Sequence, residues 1–324
     1  MHQDEHLITP DLLEEADAGF HSSFKPEVTY EKTLSLALSQ QPVSRFQSSY
    51  SYGSSGRITK RTINSLLAEA YLCKQFGWEI LVEDSPGAYK FPELVAVLKS
   101  VHDLSEKKVA LQTPALSLPE MDSLRTHVQS VVADLKTINK GTQKRISPHF
   151  SLTPFISMFS DAKGFQRRVL ITLGIGEHLE GLPELHRFIE THTVTEVTFT
   201  PLTTENHPLA AARPPSSFYC ARWIAETRIA FPKLKILAAT SPERFAELGL
   251  FLKAGINTIT GFPALEIFHS ESAQVIEEEC KNAGRTLVGT LTDLSLLDRM
   301  RQEHLQDDVK EKLDKYIGAI KRTK

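Results

Sequence analysis

The chain has 324 residues, of which 41% are hydrophobic and 24% are charged, and its formal net charge is -3. This balance excludes a strongly basic nucleic-acid surface, and no apolar run approaches the ~18 residues that a membrane span needs. The first twenty residues are rich in Asp, Glu and His and lack the basic and apolar regions of a secretory signal. We therefore expect a cytoplasmic protein that binds neither nucleic acid nor membrane.

Short apolar runs alternate with amphipathic stretches along most of the chain. In chain order, the predicted strands cover 33–39, 79–83, 108–113, 169–173, 194–200, 234–239 and 256–260. The predicted helices cover 62–76, 92–104, 124–132, 182–191, 216–230, 242–254, 273–283 and 294–321. The run 132–138 fits the end of a helix or a strand equally well.

Strands separated by helices indicate βαβ units and a parallel sheet. Six or more such units favour an α/β fold, a parallel (β/α) barrel or partial TIM-type barrel with its active site at the carboxyl ends of the strands. An open doubly wound sheet is the alternative, although no Gly-rich dinucleotide fingerprint follows the first strand. We predict a polar arm at 1–30, the barrel at 31–293 and a charged helix at 294–324.

The three cysteines of the chain are Cys73, Cys220 and Cys280. They are far apart, their number is odd, and no metal-ligand spacing joins them. We therefore predict ordinary free thiols, since free cysteine is among the most buried residue types. The sequence predicts no metal site.

The connection after the first predicted strand carries hydroxyl side chains in an unusual spacing. Ser44, Ser48 and Ser51 stand where a Cx3Cx2C pattern would have cysteines, and the aromatic Tyr50 precedes the last of them. Serine-rich loops are common, so the spacing alone is compatible with chance. Its place between a first strand and a long helix makes it informative.

The order of phrases in the rest of the chain resembles the radical S-adenosylmethionine superfamily. These phrases stand at 169–177, 197–202, 207–215, 218–232, 254–263 and 284–293. Their order is similar to the biotin-synthase-like branch, and within it to a subunit of the two-component lipoyl synthases. The likeness extends over about residues 30 to 293, and it implies a radical-SAM-like barrel.

The resemblance implies a role for each matching position. Members of this superfamily hold a 4Fe-4S cluster on three thiolates, and the cluster binds S-adenosylmethionine. The residues that match the family's cluster loop are Ser44, Ser48, Tyr50 and Ser51. The residues that match its S-adenosylmethionine site are Asp84, Ser85 and Pro86 near the amino group of that cofactor, Gly176 and Glu177 near its ribose, and Ile259 and Gly261 near its adenine.

The departures from the family pattern are as informative as the matches. Serine supplies no soft anionic ligand at neutral pH, so no iron–sulfur cofactor is expected in this chain. Pro86 also removes a backbone donor where the family has a glycine pair. The resemblance, read with these losses, implies a catalytically degenerate relative of lipoyl synthase, which inserts sulfur into an octanoyl chain.

Such a pseudoenzyme would bind or scaffold rather than catalyse. Its implied partners are a paralogous radical SAM subunit or a lipoyl-carrier protein. Two alternatives stay open on the sequence: an inactivated Cys-to-Ser form of an active lipoyl-synthase-type enzyme, and an unrelated βα-barrel enzyme.

Overall fold

The computed structural model describes residues 8–39, 58–84, 89–147, 150–176, 179–202 and 214–322. Its strands are β1 (Glu27–Ser35), β2 (Ala37–Ser39), β3 (Ile58–Lys60), β4 (Glu79–Glu83), β5 (Val109–Gln112), β6 (Val128–Lys136), β7 (Gln166–Leu173), β8 (Glu196–Pro201), β9 (Lys235–Ala239), β10 (Thr258–Thr260) and β11 (Thr286–Leu287).

The helices cover the outside of the sheet. They are α1 (Pro10–His21), α2 (Ile63–Phe76), α3 (Phe91–Ser105), α4 (Leu118–Leu124), α5 (Lys140–Ile146), α6 (Thr153–Asp161), α7 (Leu182–Thr191), α8 (Ser217–Ala230), α9 (Leu248–Lys253), α10 (Ala264–Ile267), α11 (Glu271–Asn282), α12 (Ser295–Arg299) and α13 (Asp307–Ile320). No helix in these ranges is long and apolar enough to cross a membrane.

Within the described ranges, eight parallel strands close into a barrel. They follow the order β1, β4, β5, β6, β7, β8, β9, β10, and β10 pairs back with β1 through the register Tyr30 to Ile259. Two hydrogen-bonding edges are thereby joined, and edge exposure disappears. The predicted (β/α) barrel is confirmed, and the alternative of an open sheet is excluded.

The predicted helix at 124–132 is wrong. Helix α4 ends at Leu124, and β6 begins at Val128 and continues through the ambiguous run to Lys136. Six consecutive residues of β6, from 130 to 135, are buried. A strand buried on both faces has no polar alternation, and a short apolar run of that kind is not distinguishable from a helix by periodicity.

Three other predicted boundaries shift. The strand predicted from residue 33 begins at Glu27, four residues before the predicted start of the barrel. The stretch predicted as one helix at 242–254 is a 3-10 turn, Pro242–Glu247, followed by α9. The long charged tail is two helices, α12 and α13.

Helix α2 shows how local sequence and packing agree. The side chain of Thr62 accepts a hydrogen bond from the backbone N–H of Ser65, and Gly77 ends the helix in the left-handed conformation at φ 78°. Its inner face buries Leu66, Cys73 and Phe76 in the core between barrel and helices. The predicted helix at 62–76 is therefore confirmed to within one residue.

A buried ionic group fills the amino-terminal part of the barrel interior. Arg168 on β7 contacts Glu31 on β1 at 2.7 Å and Glu196 on β8 at 2.6 Å, and all three side chains are at most 2% exposed. Ser130 donates a further hydrogen bond to Glu196 at 2.9 Å. We call Glu31, Arg168 and Glu196 the lower charged layer. It ties three strands together across the barrel interior.

Candidate functional site at the barrel mouth

A cavity of about 340 Å³ opens at the carboxyl ends of the barrel strands. This end of a (β/α) barrel is where loops and strand ends combine into active sites. We call the cavity and its lining the barrel mouth. The lining side chains used below are Glu83, Asp134 and Lys136 on one side, Thr198 and Thr240 on the other, and Leu81 and Leu170 at the floor.

The first side of the barrel mouth is ionic. Asp134 on β6 is 3% exposed, and its Oδ2 lies 2.8 Å from Nζ of Lys136. The chain reaches this arrangement through a register shift between Asp134 and Lys136, where Lys136 takes a left-handed φ of 60°. An L-residue with a side chain rarely adopts that conformation, so the irregular strand end is what brings the ammonium beside the carboxylate.

The other oxygen of Asp134 has no protein partner. Oδ1 is buried and accepts no hydrogen bond from any described residue. Burial raises the pKa of the neighbouring Glu83, and the negative charge of Asp134 adds to that rise. Ser35 donates to Glu83 at 2.7 Å, which opposes the rise in pKa. The carboxylate side of the mouth therefore holds an acceptor that protein contacts leave unused.

Asp84 directly follows β4 and is buried. Its desolvation raises its pKa to about 6, because the long 3.5 Å contact from Thr113 offsets little of the penalty. Its Oδ1 also lacks a hydrogen-bond partner among the described residues. Asp84 is thus a carboxyl group that titrates close to neutral pH beside the mouth.

The opposite side of the barrel mouth presents hydroxyls. Thr198 on β8 is 4% exposed and Thr240, directly after β9, is 5% exposed. The Oγ1 atoms of both are buried without a hydrogen-bond partner in the described ranges. Unpaired buried hydroxyls are costly, so a ligand or ordered water that pairs with them would be stabilised here.

The floor of the mouth is apolar. Leu81, Ala110 and Val132 form a small buried cluster inside the barrel, and Leu170 packs against it. The cavity lining also includes Glu31 of the lower charged layer. A molecule in the mouth therefore meets an ionic side, a hydroxyl side and an aliphatic floor.

The structure describes only part of the site that the sequence predicts. Gly261 lines the cavity with φ 90°, and a Cβ there would lie 2.9 Å from that of Ala239. Gly176 takes φ 102°, and a Cβ there would collide with the guanidinium of Arg145, which donates to the Ile175 carbonyl at 2.8 Å. Ile259 packs into the core outside the cavity.

The remaining predicted positions lie outside the described residues. These are Ser44, Ser48, Tyr50, Ser51, Ser85, Pro86 and Glu177. The four loop positions belong to the connection between β2 and β3, which pair antiparallel immediately after β1. Their assigned roles stay predictions.

Sequence reasoning missed the residues that dominate the mouth. Glu83 and Asp134 are each at or near the end of a barrel strand and face its interior. The available signal was a carboxylate at the end of an otherwise apolar run, in LVED and VVADLK. Once β6 is assigned as a strand, Asp134 falls at such an end.

The donor set does not fit a 4Fe-4S cluster. The three cysteines of the chain are Cys73 on α2, Cys220 on α8 and Cys280 on α11, and all three are buried and outside any disulfide. Burial raises the pKa of both Cys73 and Cys280 to about 12, which is opposite to what a thiolate ligand needs. The connection 40–57 contains no cysteine.

Sequence comparison finds one relative among the curated proteins that the chain matches over most of its length. No family model matches the chain. An uncharacterized protein of Methanocaldococcus jannaschii is 25% identical over 295 residues, which cover 82% of this chain and 80% of the relative.

Two solved structures share the architecture. Methylornithine synthase superposes with a TM-score of 0.70 at 16% identity, covering 87% of this chain and 90% of that one. The FeFe-hydrogenase maturase HydG from Carboxydothermus hydrogenoformans gives a TM-score of 0.68 at 11% identity, covering 94% of this chain and 81% of that one. At these identities the likeness concerns the fold alone, and it agrees with the radical-SAM-like (β/α) barrel that the sequence predicts.

Proposed function

We propose that this chain is a radical-SAM-like barrel without cluster chemistry, and that it acts by binding a small molecule at the barrel mouth. The observation that carries the proposal is the mouth itself: a cavity of about 340 Å³ with unpaired polar groups at the carboxyl ends of the strands. Such a cavity with a few convergent polar groups is the usual form of a ligand site. The chain has this cavity although its connection 40–57 contains no cysteine to hold a cluster.

The finer relationship that we propose is to the lipoyl synthases. Its support is the order of sequence phrases between residues 30 and 293, together with the serines at 44, 48 and 51. In this proposal the protein works in the cytoplasm beside a paralogous radical SAM subunit or a lipoyl-carrier protein. None of the three cysteines forms a disulfide, which accords with a reducing compartment.

The test is iron content after anaerobic reconstitution with iron and sulfide. Wild-type protein is compared with a variant that carries Ser44→Cys, Ser48→Cys and Ser51→Cys. A matched control carries three Ser→Cys changes on helices, at the half-buried Ser100 and at the exposed Ser123 and Ser160. We expect about four irons per chain in the loop variant and none in the wild type or the control.

Each other outcome contradicts part of the proposal. Iron bound by the wild-type protein would contradict the loss of cluster chemistry. A loop variant that binds no more iron than its control would contradict the family assignment and favour an unrelated barrel. For the partner proposal, an octanoylated carrier domain that does not co-elute with the protein in size-exclusion chromatography, alone or with a paralogous subunit, would contradict the binding role toward that carrier.

A further inference from the structure

The barrel mouth has the chemistry of a specific ligand class, and this inference rests on the binding role proposed above. We infer that the mouth binds a free α-amino acid, with its ammonium on Oδ1 of Asp134, its carboxylate on Nζ of Lys136, and its side chain across the aliphatic floor toward Thr198 and Thr240.

The ion pair of Asp134 and Lys136 leaves charged atoms available to a ligand. Asp134 uses only Oδ2 on Lys136, at 2.8 Å, and leaves Oδ1 buried and unpaired. A lysine ammonium has three N–H donors, of which this contact uses one. One unpaired acceptor beside spare cationic donors matches the two charges of an amino-acid zwitterion, in which ammonium and carboxylate are joined through one carbon.

The charge balance supports a zwitterion over an ion of either sign. Asp134 and Lys136 cancel, and the raised pKa of Glu83 reduces its negative charge relative to an exposed glutamate. The other charged residues of the lining are already paired. Arg244 lies 2.6 Å from Glu247, Lys32 lies 3.5 Å from Glu69, and Glu31 lies 2.7 Å from Arg168. A phosphate would face carboxylates with no free guanidinium to meet it, whereas a net-neutral ligand costs little to bring in.

A metal ion is a poorer occupant. The described residues include no group of three His, Cys, Asp or Glu side chains arranged to hold one. The Asp134 carboxylate is already neutralised by an ammonium at contact distance. The unpaired Oδ1 therefore suits a hydrogen-bond donor better than a cation that needs several oxygens.

Two independent features specify the side chain of the ligand. Leu81 and Leu170 form an aliphatic floor, which favours methylene groups. Beyond the floor, the buried hydroxyls of Thr198 and Thr240 lack partners, which favours a side chain that ends in a hydrogen-bonding group. The class is therefore an α-amino acid with an aliphatic stem and a polar terminus.

Calorimetry with the whole chain tests the inference. The twenty common L-amino acids are titrated one at a time, and S-adenosylmethionine is titrated separately. For the tightest amino acid, the N-acetyl derivative removes the ammonium and the methyl ester removes the carboxylate. We expect each derivative to bind about ten- to a hundredfold more weakly, since each loses a charge-assisted hydrogen bond.

Variants assign these losses to residues. In Asp134→Asn the amino acid weakens by about the same factor as its N-acetyl derivative does in wild-type protein. In Lys136→Met the free acid and its methyl ester bind equally. Thr198→Val weakens amino acids with polar termini and leaves those with apolar side chains unchanged. The controls Asp122→Asn and Lys310→Met, which break exposed pairs, keep wild-type affinity.

Three results would overturn the inference: no amino acid binds, the two derivatives bind as well as the parent, or only S-adenosylmethionine binds. Because the ester and acetyl probes act on wild-type protein, the test survives a variant that fails to fold. The iron test of the serine loop is separate. Amino-acid binding with no iron in the cysteine variant would contradict the proposed family and leave this site standing.

Discussion

The two charged layers of the barrel interior use the same residue types for different ends. In the lower charged layer, Arg168 bridges Glu31 and Glu196 at 2.6–2.7 Å, and the three side chains are at most 2% exposed. In the barrel mouth, Asp134 and Lys136 form one contact, and an oxygen and two hydroxyls stay unpaired. Nη2 of Arg168 and Oε1 of Glu196 also lack a hydrogen-bond partner among the described residues, so the two layers differ in their ion pairs and not in the presence of unpaired atoms. The lower layer joins three strands through one arginine, whereas the unpaired atoms of the mouth belong to residues that line the cavity.

We expect the largest loss of stability from a substitution at Arg168, in the lower charged layer. Arg168→Met leaves two buried carboxylates without their cation, so we expect a loss of about 3–5 kcal/mol in the free energy of unfolding. Urea unfolding followed by circular dichroism measures it. The control Arg222→Met removes a partly exposed i,i+4 pair with Glu226 and should cost about 0.5 kcal/mol. Equal losses of unfolding free energy in the two variants would contradict the structural role that we assign to the lower charged layer.

The next effect concerns pH and Asp84. Its pKa in the folded protein is raised to about 6, so the folded state binds the proton more tightly than the unfolded state does. The contribution of Asp84 to the free energy of unfolding is then highest below its pKa in the unfolded chain, and it falls as pH rises through about 4 to 6. The raised pKa corresponds to at most about 3 kcal/mol at neutral pH.

Asp84→Asn isolates this contribution. We expect the variant to gain stability relative to wild type as pH rises from 4 to 7, measured as the difference between the two unfolding curves at each pH. The exposed Asp122→Asn change should show no such trend. A difference that stays constant between pH 4 and 7 would mean that Asp84 is as solvated as an ordinary aspartate.

A smaller effect is predicted outside the barrel, where α13 packs on α2. The Tyr316 hydroxyl contacts Glu69 at 2.7 Å and Ser65 at 2.9 Å. Tyr316→Phe should cost about 1–2 kcal/mol, because Glu69 is buried and loses a donor. Hydrogen exchange of the α13 amides reports the loss locally, and Lys315→Met on the exposed face of α13 is the control. Unchanged exchange in Tyr316→Phe would show that this contact does not hold the helix.

The smallest stability effect is predicted at the mouth. Asp134→Asn should change the free energy of unfolding by about 1 kcal/mol or less, because the asparagine oxygen can still accept a hydrogen bond from Nζ of Lys136. It removes repulsion toward Glu83 and exposes Lys136 only to a cavity that water can enter. A loss as large as that of Arg168→Met would place Asp134 among the structural residues and weaken its assignment to a ligand.

The sequence predicts the barrel because alternating strands and helices have strong local signals. Helix α2, with Thr62 at its start and Gly77 at its end, needs no tertiary information. Strand β6 does need it, since burial on both faces removes the alternation that would identify a strand. The site follows the same rule: Gly261 was found through a phrase of sequence, whereas the Asp134–Lys136 pair depends on a register shift that only the neighbouring strand β7 defines.

The most direct test of this contrast is the stability that amino acids confer on the folded protein. Urea unfolding of wild type, Asp134→Asn and Asp122→Asn is measured with and without an equimolar mixture of the twenty L-amino acids. A ligand that binds only the folded state raises the free energy of unfolding by RT ln(1 + [L]/Kd), where [L] is the free ligand concentration. We predict stabilisation of wild type and Asp122→Asn and none of Asp134→Asn. Equal stabilisation of all three proteins, or of none, would contradict a barrel mouth built to bind a ligand at Asp134.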